Sequence, residues 1–275
     1  MRLVKGHLQA FTEILQILRR HRDLTFDMAK RELSDRYTGQ VFGMLWAVIH
    51  PVFMMGLYVF IFAVVFKQKI GGTTDLPLDY TAYILSGLVS WLSFQEAINK
   101  SCVTITSNAS LVKQVIFPVE ILPVKSVLAS LFPMLVSLSV LVIYVYISHG
   151  SLHLTYLLLP ILILMQVLMM IGIAYLLSPI GAYFKDLKDI AQLFTIMGLY
   201  LMPVFYLPNM VPDLFRPVLY LNPFSYFIWC YQDLLYFGRL EHPLAWFVVA
   251  LLSTSTFIFG YRVFRKLKPL LGTNL

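Results

Sequence analysis

Long uncharged apolar runs alternate with short polar segments along this chain. Five runs of 18 residues or more contain no Asp, Glu, Lys or Arg: Val41–Phe66, Ser126–Ile147, Leu154–Phe184, Ile190–Pro212 and Leu244–Tyr261. About 20 apolar residues cross a ~30 Å hydrocarbon core as a helix, so each run predicts a membrane span. The run Leu154–Phe184 is longer than a crossing needs, which implies tilt or extension past the bilayer. Two shorter runs, Tyr80–Gln95 and Pro217–Gln232, are 16 residues each and ambiguous by length.

Basic charge separates those two. Lys and Arg concentrate on the cytoplasmic side of membrane proteins. If Tyr80–Gln95 spans and Pro217–Gln232 does not, 17 of the 21 basic residues lie inside and 4 outside. The opposite choice gives 13 and 8, and counting both as spans puts the four basic residues of the C-terminus outside. The expectation is an all-α integral membrane protein with six transmembrane helices, at 41–66, 78–99, 124–147, 154–184, 190–211 and 244–261. Residues 1–40 and 262–275 are then cytoplasmic, 212–243 is extracytoplasmic, and 1–275 forms one transmembrane domain.

Composition agrees. Hydrophobic residues make up 59% of the chain and charged residues 13%, against roughly 25% charged in soluble domains. So much apolar surface excludes an ordinary soluble domain and a disordered chain. The first 40 residues carry 8 basic and 5 acidic groups and no apolar core of a secretory signal peptide. Cys102 and Cys230 fall on opposite sides of the membrane and read as small apolar side chains.

Three segments do not span. In 7–22, Leu8, Phe11, Leu15 and Leu18 share a helical face, and Arg19, Arg20 and Arg22 follow. This pattern predicts an amphipathic helix at the membrane interface, and is compatible with packing on the protein's own cytosolic surface. Ser101–Pro118 carries a single charge, Lys113. A cytosolic loop this apolar reads as a docking surface for a soluble partner, with a loop folded back on the bilayer as the alternative. Pro212–Pro243 holds nine aromatics, including Phe224, Tyr226 and Trp229. A re-entrant hairpin or a pair of interfacial helices fits it, turning at Asn222-Pro223. The alternative is an aromatic belt that anchors the loop.

Several chemistries are missing. No glycine is followed by lysine, so the chain has no P-loop. The six histidines form no His-Glu-x-x-His pair, and His149 and His153 flank Gly150 in a short loop. No metal site and no catalytic residue is expected. The uncharged runs lack the buried acids of ion-coupled carriers, the charged rings of pores and an internal repeat. Energy, if used, comes from a soluble ATPase docked on the cytosolic loops. ATP and Mg then sit on that partner, and this chain carries no cofactor. A substrate path is suggested by aromatics. Trp46, His50, Phe53 and Phe60 recur on one face of the first span, and Tyr58, Phe62 and Phe66 lie on another. Tyr200, Phe205 and Tyr206 lie near the end of the fifth. Aromatic faces stack on sugar C–H surfaces or apolar chains without demanding charge; helix packing is the alternative. His50 is expected to cap a carbonyl freed by Pro51.

These residues resemble one family. Arg31-Glu32-Leu33-Ser34-Asp35-Arg36-Tyr37, followed by Gly43, Trp46 and Pro51, is similar to the opening motif of polysaccharide-export permeases of ABC transporters. So are Asn108-Ala109-Ser110-Leu111-Val112-Lys113, Phe117-Pro118-Val119-Glu120-Ile121-Leu122-Pro123 and Tyr183-Phe184-Lys185-Asp186-Leu187-Lys188-Asp189. Pro203-Val204-Phe205-Tyr206, Leu221-Asn222-Pro223-Phe224 and Tyr261-Arg262-Val263-Phe264-Arg265-Lys266-Leu267 complete the set, in consistent order from about residue 25 to 270. The family usually has Ser where Gln40 stands and Leu where Phe42 stands.

The resemblance implies a homodimer bound to two copies of a nucleotide-binding ATPase subunit. It implies a bacterial cytoplasmic (inner) membrane location and a polyprenyl-pyrophosphate-linked polysaccharide as substrate, with no nucleic-acid partner. The docking helix would involve Asn108, Leu111, Val112, Lys113 and Val115. Arg31 and Arg36 would meet the pyrophosphate. Asn222, Pro223, Phe224, Tyr226 and Trp229 would form an outer gate, and Trp46, Phe53, Tyr58, Phe60, Tyr200, Phe205 and Tyr206 the path. Two other readings stay open: an ABC permease for a drug or lipid, and a membrane-embedded enzyme on lipid-linked sugars. The enzyme would draw on Asp75, Asp79, Glu96, Asp213 or Asp233.

Overall fold

A computed structural model describes residues 12–14, 16–65, 78–113 and 117–271, apart from the side chain of Ala63. The described residues are helical and contain no strand. The main helices in chain order are α1 (Arg22–Asp35), α2 (Trp46–Val59), α3 (Tyr80–Ser101), α4 (Ala109–Val112), α5 (Ile121–His149), α6 (Leu159–Tyr183), α7 (Leu187–Leu201), α8 (Arg216–Leu221), α9 (Pro223–Gln232) and α10 (Pro243–Leu271). Helices suit this sequence because hydrocarbon offers backbone groups no partner, and a helix satisfies its own.

Among the described residues, four helices are long and apolar enough to cross a membrane: Gly43–Phe62, Ile121–His149, Leu154–Tyr183 and Pro243–Leu271. The two other expected spans differ. α3 is 22 residues long but carries Ser86, Ser90, Ser93, Glu96, Asn99 and Lys100. It tolerates them because it runs through the middle of the bundle, where the three serines are buried. Gln166 of α6 reaches it there, its Nε2 donating to the Ser90 carbonyl at 3.1 Å. The expected span 190–211 is α-helical only as far as Leu201, with a single 3-10 turn at Pro208–Met210 beyond it. α7 has 15 residues, about 22 Å at 1.5 Å per residue. The next residue, Met202, is extended at φ −114° and ψ 157°, as the residue before a proline prefers to be. The last helix, by contrast, does not stop where the uncharged run ends at Tyr261. It continues through the basic residues to Leu271.

Close backbone approach fixes the packing. A Cβ on Gly260 of α10 would sit 2.1 Å from the carbonyl oxygen of Gly172 on α6, so no larger residue fits that crossing. A Cβ on Gly198 of α7 would sit 2.5 Å from the Trp91 ring of α3. Beside it the Trp91 Nε1–H donates to the Thr195 carbonyl at 3.2 Å. α5 ends at Gly150, whose φ of 72° suits glycine and whose N–H donates to the Tyr146 carbonyl.

The N-terminal segment reaches further than expected. Helical residues 12–14 and 16–20 lead into α1, and the amphipathic pattern read over 7–22 covers only part of it. Leu8, Phe11 and Leu15 of that pattern lie outside the described residues. Thr25, Ala29 and Leu33 form the buried face of α1 at a spacing of four.

Candidate functional site

Candidate residues gather in three zones: the basic end of the bundle, an aromatic cluster, and the opposite end.

At the basic end, α4 is a four-residue helix after a 3-10 turn at Thr106–Asn108. Leu111 and Val112 are half-buried and pack against the protein's own core, while Ser110 and Lys113 are exposed. Val115 lies outside the described residues. Asn108 is tied in from both sides. Its Nδ2 donates to the Thr104 carbonyl at 2.8 Å, and its Oδ1 accepts from Lys125 Nζ at 3.0 Å. The same ammonium pairs with Glu32 Oε2 of α1 at 3.1 Å, and Ser126 Oγ donates to that oxygen at 3.3 Å. The Lys125 side chain is only 7% exposed, the Glu32 side chain 23%.

Four residues along, Arg36 leaves α1 and pairs with Glu96 of α3, which also takes Lys100. Glu32 and Arg36 therefore clamp α1 to two different helices. Sequence reading missed this clamp because its partners lie 60 or more residues away; the i, i+4 acid–base pair was the only available signal. Arg31 and Arg36, expected together, are separated. Arg31 is 82% exposed and pairs with Asp35. Arg36 borders a cavity of about 330 Å³ with Tyr37, His50, Glu96, Asn99 and Lys100. The His50 side chain is exposed and makes no hydrogen bond among the described residues, so it does not cap a carbonyl before Pro51. Lys268, near the end of α10, pairs with Glu120 at the start of α5. Cys102 lies buried and unpaired at the end of α3, and burial pushes its thiol up to about 11, which leaves it inert.

The aromatic cluster brings together four of the seven candidate path residues. Phe205 sits 6.4 Å from Tyr58 and 5.9 Å from Tyr200 between ring centroids. The Tyr206 hydroxyl donates to the Tyr200 carbonyl at 3.0 Å. Phe62 stacks on Phe205 at 5.7 Å. The Tyr80 hydroxyl donates to the Phe205 carbonyl, which braces the turn after α7. The other three lie apart. Trp46 packs edge-on against Phe42, and Phe53 on α2 and Phe60 in the π-helical turn after it face outward.

In the third zone, which runs from the middle of α3 to the opposite end, Asn222 caps α9 by accepting from the Phe224 N–H at 3.0 Å, with Pro223 in the first turn. Phe224 then meets Trp91 and Phe94 edge-on at 5.4 and 5.0 Å. Tyr226 lies edge-on to Trp229 at 5.2 Å, and its hydroxyl donates to the Tyr220 carbonyl. All five expected gate residues thus converge on α9. What the sequence hid is the surroundings of Asp233. Its fully buried carboxylate accepts from the His242 N–H at 3.1 Å, from Trp246 Nε1 at 3.1 Å, and pairs with His242 Nδ1 at 2.8 Å. Asp79 likewise takes the Tyr144 hydroxyl at 2.6 Å and His149 Nε2 at 2.9 Å.

The carboxylates proposed for an embedded enzyme are therefore engaged in structural pairs. Asp79, Asp233 and Glu96 are held as described, and Asp213 pairs with Arg216; Asp75 lies outside the described residues. No group of three or more His, Cys, Asp or Glu that could hold a metal occurs among the described residues.

A multi-pass helical membrane protein with a short helix at its basic end is compatible with a transporter subunit. The family profile described as ABC-2 type transporter matches residues 24–236, and the chain belongs to that family. It is accordingly the permease part of an ABC transporter, a membrane protein that works with an ATPase, and not an enzyme. Relatives agree in extent. The chain is 26% identical to the O-antigen export system permease protein RfbA of Klebsiella pneumoniae, over 90% of this chain and 92% of that one. It is 27% identical to the protein of the same description from Myxococcus xanthus, over 90% and 96%.

Proposed function

We propose that this chain is the permease of an ATP-driven exporter that moves lipid-linked polysaccharide, of the O-antigen or capsule kind, across the bacterial cytoplasmic membrane. The observation that carries the substrate is the similarity to O-antigen export permeases over nine-tenths of each chain. The path chemistry supports it: the cluster of Tyr58, Tyr200, Phe205 and Tyr206 offers ring faces and hydroxyls but no charge, which suits a sugar chain.

In this reading α3 and α7 also cross the membrane, giving six spans. α3 does so shielded by its neighbours, and α7 as a short helix completed by the turn braced by Tyr80. The basic end faces the cytoplasm with both termini, and α8 and α9 form a re-entrant segment on the far side. The permease works as a homodimer. Only 17% of the apolar stretch of Gly43–Phe62 is buried, against 44% for Ile121–His149. α7 leaves Ile190, Leu193 and Met197 exposed, so these two helices offer the faces for a second copy. Two ATPase subunits carrying ATP and Mg dock at α4. Arg36, which borders a cavity, would meet the pyrophosphate of the lipid carrier, with the more exposed Arg31 beside it.

Depleting the protein tests the substrate. Lipid-linked glycan should accumulate on the cytoplasmic face and vanish from the cell surface. Unchanged glycan on both faces would redirect the assignment to a drug or lipid. Docking is tested separately by Leu111→Glu, which should abolish co-purification of the ATPase; a normal complex would refute the assignment of α4.

A further inference from the structure

The chain just after α7, Met202–Tyr206, is not helical, so its carbonyls need partners from elsewhere. One partner is local: the Val204 N–H donates to the Met202 carbonyl at 2.7 Å. The others are side chains of α3 and α9. Gln232 Nε2 of α9 donates to the Pro203 carbonyl at 2.9 Å. The Tyr80 hydroxyl of α3 donates to the Phe205 carbonyl. The Tyr83 hydroxyl, also of α3, lies 3.2 Å from the Tyr206 carbonyl and 3.4 Å from that of Pro203. It has one proton for two acceptors, and the Gln232 amide meets it as well. Pro203 therefore relies on Gln232, with Tyr83 in reach as the alternate donor.

Packing brings the three elements together at one glycine. A Cβ on Gly87 of α3 would sit 3.2 Å from Ile228 Cγ2, 3.4 Å from Val204 Cα and 3.5 Å from Gln232 Nε2. Val204 and Gln232 are fully buried there. The hydrogen bonds of a helix are lost only with the helix, whereas bonds to single side chains can be exchanged one for another. α9, which carries the Gln232 amide, is itself incompletely paired. Its Ser225 Oγ, Trp229 Nε1, Tyr231 hydroxyl and Gln232 Oε1 are buried without a hydrogen-bond partner among the described residues. Buried polar groups are nearly always paired, so α9 has polar groups to satisfy by moving.

We propose that Met202–Tyr206 is a hinge and that Gln232 is the positioning residue that latches it, holding the Phe205 ring against Tyr58 and Phe62. When α9 carries Gln232 away, the Tyr83 hydroxyl turns from the Tyr206 carbonyl to that of Pro203. The turn then re-aims Phe205 without leaving the Pro203 carbonyl bare. The inference rests on the reading of the aromatic cluster as a polysaccharide path, and adds to it the residues that set the position of its central ring.

The test uses the assembled transporter with Val204→Cys as reporter. Val204 is fully buried on the turn, so a thiol there reacts with N-ethylmaleimide only when the turn opens. Peptide mass counts it apart from Cys102 and Cys230. The expected result is slow labelling without ATP, rising several-fold during ATP turnover. Gln232→Met, which keeps the length but removes the amide, should raise labelling without ATP. Adding Tyr83→Phe, which removes only the alternate hydroxyl, should raise it several-fold more and lower export per ATP hydrolysed. Gly260→Ala, at the α6–α10 crossing, is the control for general loosening. Labelling without ATP that Gln232→Met leaves unchanged, or that Gly260→Ala raises as much, overturns the latch. Labelling that ATP leaves unchanged overturns the hinge, and no added effect of Tyr83→Phe overturns the exchange. The labelling does not depend on the cargo: if depletion leaves glycan unchanged on both faces, the polysaccharide reading falls while the labelling still decides the latch.

Discussion

Removing either partner of the Glu32–Lys125 pair should have unequal effects, because the two groups are unequally buried. Glu32→Ala strands an ammonium that is 7% exposed, with Asn108 Oδ1 as its remaining acceptor. Stranding a buried charge costs about 3–5 kcal/mol, and the Asn108 contact places this case near 3. Lys125→Met strands a carboxylate that is 23% exposed and still accepts from Ser126 Oγ. Water reaches it, so the expected cost falls between buried and surface pairs, about 1–2 kcal/mol. Denaturation of the detergent-solubilised permease gives both values, and the double variant gives the coupling. Energies that add without coupling would refute a direct interaction, and a Lys125→Met cost equal to that of Glu32→Ala would refute the burial argument. There is a functional counterpart. Lys125 lies between α4 and α1, so Lys125→Met should let the docked ATPase turn over while export falls, and Lys125→Arg should recover export. Full export by Lys125→Met would show that export does not depend on the clamp.

Other expectations follow from local geometry. Gly260→Ala puts a methyl 2.1 Å from the Gly172 carbonyl oxygen, so the α6–α10 crossing must open. Overpacking of this kind costs about 1–3 kcal/mol, visible as a lower thermal midpoint in detergent. Asp233→Ala leaves the His242 N–H and Trp246 Nε1–H without their acceptor. It should loosen the start of α10 and lower export, at about 1–3 kcal/mol for each orphaned group, read by hydrogen exchange at His242–Trp246. With its thiol raised to about 11, Cys102 is thiolate in only about one molecule in a thousand at pH 8. Maleimide labelling should therefore be negligible in the folded protein, rise as pH climbs toward 11, and become complete on unfolding. Rapid labelling at pH 7 would contradict the burial of Cys102.

Some of this protein is legible in the order of its residues. Hydrophobic length alone marks the spans around α2, α5, α6 and α10, since crossing hydrocarbon imposes a local requirement on each stretch. Asn222-Pro223 likewise announces the start of α9, because capping is satisfied within two residues. The motif set from Arg31 to Leu267 points to the permease family, whose profile covers residues 24–236.

Tertiary structure decided the rest. The polar residues of α3 make it a poor span in isolation, and only its central position explains how Ser86, Ser90 and Ser93 are accommodated. The basic stretch after Tyr261 reads as a tail, yet it stays helical to Leu271, where Lys268 finds Glu120 from 148 residues away. Arg31 and Arg36 look equivalent in sequence, but the direction in which α1 presents them sends one to solvent and the other to Glu96. Asp233 reads as one more charge in an outer loop until the fold brings His242 and Trp246 around it. The division has a physical cause. Helix formation and membrane crossing depend on neighbours a few residues away, whereas ion pairs, cavities and orphaned donors depend on which helices the packing sets side by side.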